Sequence, residues 1–176
     1  SVYAAFNAMH RIYTALQQMM LNNKGTVDYI NKQLKMLEKY SALVLEYSEE
    51  KFYDENRKSY VRNLEDGKMD SSILGAIVPC KMLKLDDEKV RNTIERINMT
   101  LRTYTGGYLR YEGDNYMGGN PWIIANLWLA EYYLKAGIKN RARECFDFAI
   151  IGSNEHGLLP EQVDNNTMDP AWVIGL

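Results

Sequence analysis

The chain is poor in the residues that staple small folds or bind metals. Its 176 residues include two cysteines, Cys80 and Cys145, and two histidines, His10 and His156. Two cysteines without metal-type spacing make neither a disulfide framework nor a zinc module; both read as small buried hydrophobes. An excess of one charge is also missing. Twenty-one Lys and Arg against 23 Asp and Glu leave a net charge of −2, which excludes a strongly basic nucleic-acid footprint and an acidic tail. No apolar run reaches the roughly 20 residues of a membrane span, and no basic stretch followed by an apolar one opens the chain as in a signal peptide. These absences point to a cytoplasmic protein whose partners are neither nucleic acid nor membrane. There is no His/Cys cluster for zinc, no Asp-rich calcium loop and no phosphate-cradling glycine motif.

What is present describes a folded globular chain. Hydrophobic residues make up 46% and charged residues 25%, and the length suits one domain or a piece of a larger one. Tyrosine dominates the aromatics, with 13 Tyr against 3 Trp and 4 Phe. Its apolar body and polar tip suit buried layers and the walls of polar-ligand pockets alike. The chain begins with Ser1 and ends in the apolar run Trp172-Val173-Ile174-Gly175-Leu176; both ends read as cut.

Helical periodicity runs through most of the sequence. Ala5, Met9, Ile12, Leu16 and Met19 stripe a first helix, and Asn22 to Gly25 end it. Thr26 is expected to cap a second helix, reaching about Tyr47. Residues 48–58 lack clean periodicity, and Asp66-Gly67 between two short runs predicts a small hairpin near 60–69. Asp70-Ser71 opens a short helix stopped by Pro79. Asp86-Asp87 opens another, striped by Val90, Ile94, Ile97 and Leu101. Asn120 and Pro121 are expected to start a helix that is apolar on nearly every side, from Trp122 to Ala136, and therefore buried all round. A last helix runs from Ile138 to about Ile151. The fold class is all-α, built of successive helical hairpins.

Glycine placement identifies the functional loops. Five of the twelve glycines fall within residues 105–119, and a second long loop covers 153–169. One helix out and one helix back lie between them, so both loops are expected on one face, the usual layout of a binding or catalytic site. They carry Arg110, Tyr111, Glu112, Asp114, Tyr116, Trp122, Glu155, Glu161, Gln162 and Asp164. Rings that stack on sugar faces, with planar polar groups that take paired hydroxyls, suit a polyhydroxylated ligand. Leu158-Leu159-Pro160 is expected to fix and desolvate Glu161.

Two segments carry a resemblance to a known family. Arg110-Tyr-Glu-Gly-Asp-Asn-Tyr-Met-Gly-Gly-Asn-Pro-Trp122 followed by Leu127-Trp-Leu-Ala-Glu131, and Gly157-Leu-Leu-Pro-Glu-Gln-Val163, resemble the glucoamylase family, glycoside hydrolase family fifteen. The likeness is to its prokaryotic branch of glucoamylases, glucodextranases and trehalases. It implies an (α/α)6 six-hairpin toroid, of which residues 1–176 would form the C-terminal half of the catalytic domain. It implies hydrolysis with inversion, which needs a general acid and a general base about 6.5–9.5 Å apart. Glu161 matches the base. Arg110, Tyr111, Asp114, Tyr116, Trp122 and Gln162 match or neighbour sugar-contacting positions. The family's Trp-Glu motif, which holds the acid, does not occur in this chain. The resemblance therefore implies an α-linked glucose oligo- or polysaccharide as substrate, no cofactor, and a missing N-terminal half as partner. The isolated chain would be inactive and self-associating. Trehalose is the alternative substrate within the family, a sugar phosphorylase the alternative enzyme class, and an α-solenoid binding module the non-enzymatic alternative. Solenoids rarely carry two such long loops on one face.

Overall fold

The computed structural model describes residues 2–171, so the apolar end at 172–176, read above as cut, lies outside the described residues. The chain is all-α with one small sheet: α1 (Val2–Met19), α2 (Lys24–Phe52), β1 (Tyr53–Asp54), β2 (Ser59–Tyr60), α3 (Ser72–Ile77), α4 (Glu88–Thr100), α5 (Ile123–Lys135) and α6 (Lys139–Ile151). It forms two compact units, Ser1–Lys51 and Phe52–Leu176.

The first unit is an antiparallel pair of helices. Gln17 Nε2 donates to Asn31 Oδ1 at 2.5 Å, His10 lies 3.2 Å from Glu38, and Phe6 sits 6.4 Å from Tyr40 between ring centroids. Asn23, rather than Thr26, caps α2: its Oδ1 accepts from the Thr26 amide at 3.1 Å. Gly25 therefore lies inside the first turn of α2. Residues 48–52, expected outside a helix, continue α2.

The second unit holds the continuous core, with Met69, Leu74, Val90, Ile97, Leu101, Tyr108 and Leu129 almost wholly buried. Its hairpin sits upstream of the expected place. Tyr53 pairs with Tyr60 and Asp54 with Ser59, while residues 62–68 form a side-chain-built turn. There the Arg62 amide donates to the Lys68 carbonyl at 3.1 Å, Asn63 Oδ1 accepts from the amides of Glu65 and Asp66, and Arg62 pairs with Asp66. Local side-chain bonds of this kind compete with ladder formation. In α4 the Asp87 carboxylate caps the Lys89 amide at 2.9 Å, and Val90, Ile94 and Ile97 face the core.

Helix α5 begins at Ile123, not Pro121, because Asn120 faces elsewhere: its Oδ1 accepts from the Asn165 amide and its Nδ2 donates to the Met117 carbonyl. It is not buried all round. Ala125, Asn126, Leu129, Tyr132 and Tyr133 are covered, but Ile124 and Leu134 are exposed. Cys145 is buried on α6 and Cys80 is half-buried; both are free thiols. Gly107 lies where three segments meet: a Cβ there would come within 2.3 Å of Phe148 and 2.5 Å of Pro121. No helix among the described residues is long and apolar enough to cross a membrane.

Candidate active site

Backbone bonds draw the loops of the second unit together. Asp70 bridges Tyr111, Arg102 bridges Tyr108, Trp122 bridges Gln162, and Val163 bridges Pro170. The two long loops meet at the start of α5, where the Ile123 amide donates to the Glu161 carbonyl and the Val163 amide to the Pro121 carbonyl, each at 3.1 Å. Side chains extend the junction: Thr105 Oγ1 donates to Asn165 Oδ1 at 2.7 Å and the Tyr104 hydroxyl to Asn166 Oδ1 at 2.8 Å. The expected shared face of the two loops is thus a direct contact, and residues 69–71 join it. The Ser71 amide donates to the Arg110 carbonyl and the Glu112 amide to the Met69 carbonyl.

Asp114 organises the first loop. Its Oδ2 accepts from Trp122 Nε1 at 2.9 Å and from the Arg110 amide at 3.3 Å, and its Oδ1 from the Tyr116 amide at 3.0 Å. A buried carboxylate with three donors spends its bonding capacity on the loop. The shape this demands is left-handed at three successive residues, Met117 (φ +48°), Gly118 (φ +95°) and Gly119 (φ +73°). A Cβ at Gly119 would lie 2.7 Å from the Asp114 carbonyl oxygen.

Around the indole so held, aromatic and cationic groups gather. Tyr116 stacks on Trp122 at 6.1 Å and 29°, and the Arg110 guanidinium lies 5.0 Å from the Trp122 ring centroid. Arg62 lies over Tyr111 at 5.8 Å. Arg110 and Tyr116 are exposed, Tyr111 and Glu161 half-buried, and Trp122, Asp114 and Gln162 buried. Of the seven expected site residues, four therefore present surface to a ligand and three lie beneath it. Gln162 is 0% exposed, which places its amide inside the fold.

Glu161 is held differently from expectation. Leu158 and Leu159 are exposed rather than anchored in the core; the Asn154 side chain folds that turn by accepting from the amides of His156 and Leu158. What fixes Glu161 is the pairing of residues 161–163 with 121–123. Its carboxylate makes no hydrogen bond or ion pair among the described residues.

The electrostatics of the surrounding turns follow from hydrogen bonding. The Arg62 guanidinium holds the Asp66 carboxyl below its ordinary range, and backbone amides of Thr167 and Asn166 do so for Asp164. Elsewhere in the unit, Tyr108, Asn98, Tyr133 and Arg141 form a half-buried polar cluster, with the Tyr108 hydroxyl donating to Asn98 Oδ1 at 2.5 Å. Burial raises the Tyr108 phenol well above its ordinary value. The Tyr108 carbonyl in turn accepts from the Trp122 amide at 2.8 Å. Sequence reasoning missed Asn126 as part of this region. Asn126, a lone amide in an otherwise apolar helix, was the visible signal. Among the described residues no group of three or more His, Cys, Asp or Glu side chains could hold a metal ion.

An all-α chain whose rigid helices carry cross-linked loops bearing a carboxylate, a guanidinium and aromatic rings has the fold of solved glycosidases. It superposes over 96% of its length on 43% of one such glycosidase at a TM-score of 0.72 and 19% identity, and with the same coverage and TM-score, at 18% identity, on a glycosidase variant solved in complex with glucose. In sequence it is 34% identical over 128 residues to an uncharacterized glycosyl hydrolase of Methanocaldococcus jannaschii, covering 64% of this chain and 21% of that protein. It is also 27% identical over 113 residues to Trehalase 1 of Sulfolobus acidocaldarius, covering 63% and 20%. Trehalase 2 of the same organism is 34% identical over 85 residues, covering 47% and 15%. The chain spans about a fifth of the length of the first two curated relatives. No family model matches it.

Proposed function

We propose that this chain is the C-terminal part of the catalytic domain of an inverting glycoside hydrolase of the glucoamylase type, releasing glucose from α-glucans. The observation that carries the reading is the backbone pairing of 161–163 with 121–123. It fixes the backbone of Glu161, whose carboxylate has no hydrogen-bond or ion-pair partner among the described residues, next to the bridge between Gln162 and Trp122, the indole that Tyr116 and Arg110 flank, in a chain similar to glycosyl hydrolases. Glu161 is the general base that removes a proton from the attacking water. Arg110, Tyr111 and Tyr116 contact the sugar, while Asp114, Trp122 and Gln162 hold the surface that they occupy. Direct attack by water needs neither a covalent intermediate nor a cofactor. The general acid comes from the N-terminal half of the same protein, so the isolated chain is inactive and its uncovered apolar helix faces drive self-association.

Trehalose hydrolysis is the second reading, favoured by the similarity to two trehalases. Glucose release by the full-length protein from malto-oligosaccharide and from trehalose separates the two. In either case Glu161→Gln is expected to lower kcat by about 10²–10⁴-fold. Unchanged turnover in that variant overturns the role of Glu161. Turnover by residues 1–176 alone overturns the division of acid and base between the halves.

A further inference from the structure

We infer that the side-chain amides of Asn126 and Gln162 bind buried water, which ties the segment carrying Glu161 to helix α5. Both residues are 0% exposed. Asn126 spends its Nδ2 on the Trp122 carbonyl at 2.8 Å, which leaves its Oδ1 without a partner. Gln162 Nε2 and Oε1 also have none.

Both residues adjoin Trp122. Trp122 and Gln162 are opposite residues of an antiparallel bridge. Its two bonds lie outside the pair, from Ile123 to Glu161 and from Val163 to Pro121, so this is the narrow kind of pair, with Cα atoms about 4.5 Å apart. Asn126 lies in the first turn of α5 and its amide reaches back to the Trp122 carbonyl, so it adjoins the residue that pairs with Gln162. Leaving buried amide groups unpaired is costly, and here three such groups belong to two residues that both adjoin Trp122.

The donor set selects the ligand. Two carbonyl oxygens and one NH2 group repel an anion through the oxygens and a cation through the amide protons. Exchanging the oxygen and nitrogen of Gln162 leaves the set unchanged. Water donates twice and accepts twice, and it is the usual occupant of closed polar sites in proteins. Because the amides have no exposed surface, the water belongs to the fold and is not the water that attacks a substrate. It adds a side-chain link to the two backbone bonds that hold residues 161–163 against α5. This inference rests on burial and hydrogen bonding alone and stands apart from the proposed reaction.

The test uses Asn126→Leu and Gln162→Met, apolar replacements of similar size, singly and together, with thermal unfolding of each. Each single variant is expected to lower Tm by about 2–8 °C, because each strands the groups that the other amide and the water still present. The double variant should lose less than the sum of the two. A crystal structure of the unsubstituted protein is expected to show water within about 2.7–3.2 Å of both amides, a readout that holds even if a variant fails to fold. A rise in Tm for either single variant means dry, unpaired amides and overturns the inference. Density showing the two amides bonded directly, with no solvent between them, overturns it as well.

Discussion

Helices α1 and α4 carry apolar residues at the same spacing but bury them to opposite extents. In α1 no side chain is buried, and Val2, Ile12 and Met19 are 60%, 59% and 76% exposed. In α4 Val90, Ile94 and Ile97 are at 1%, 4% and 0%. The contrast extends to their units: α1 and α2 together bury Ile30 and Leu37, whereas residues 52–171 build the core on which the candidate site stands. Periodicity names the apolar face of a helix, and packing partners alone turn that face into core. The candidate site follows the same division, because a site needs loops held by a rigid support, and the bridges among 70, 111, 122, 162 and 170 occur in the well-packed unit.

The largest expected effect is on turnover of the full-length protein. Glu161→Gln should cost about 10²–10⁴-fold in kcat, while Glu38→Gln, which removes an exposed partner of His10 in the first unit, should leave it within about twofold, as expected for an exposed pair. A comparable loss from both would erase the functional distinction between the units.

Stability should divide the same way. Leu129→Ala, at 0% exposure on α5, is expected to cost about 2–5 kcal/mol, and Ile12→Ala less than about 0.5 kcal/mol, both read by urea denaturation of the isolated chain diluted until it is monomeric. Equal costs would then mean that Ile12 is covered within the monomer, whereas cover by self-association shows only as the concentration is raised.

A smaller loss tests the junction beneath the site. Gly107→Ala puts a methyl against Phe148 and Pro121 and should destabilise by about 1–3 kcal/mol. Neutral behaviour would show that those segments separate easily.

The smallest effect concerns the thiols. Burial pushes Cys145 up to about 11, so folding favours its protonated form. That contribution is complete below the unfolded thiol's range and is lost as pH rises through about 11. At pH 8 a thiol reagent should modify the half-buried Cys80 first and Cys145 only on unfolding; equal rates would contradict the packing of α6.

Much of this was legible in the sequence where local signals and packing agree. The α4 stripe with its acidic cap, the α5–α6 turn at Gly137 and the meeting of the two loops all follow from spacing and short-range chemistry. The departures have physical causes. Asn23 took the cap expected of Thr26, and Asn120 turned to Asn165 and so gave up its helix. The 62–68 turn chose side-chain bonds over a ladder, moving the hairpin to 53–60. Burial of Trp122 was expected, but that of Asp114 and Gln162 was not legible, because residues that touch a ligand and residues that hold them share the same chemistry. Only the bond from Trp122 Nε1 to Asp114 and the pairing with Gln162 separate the two roles.

The most direct measurement is the anomeric form of the glucose first released by the full-length protein from an α-linked oligosaccharide, followed by proton NMR before mutarotation. A carboxylate base that activates water for attack from the opposite face predicts β-glucose at early times and loss of that signal in Glu161→Gln. Early α-glucose, or release that persists in the variant, contradicts the account.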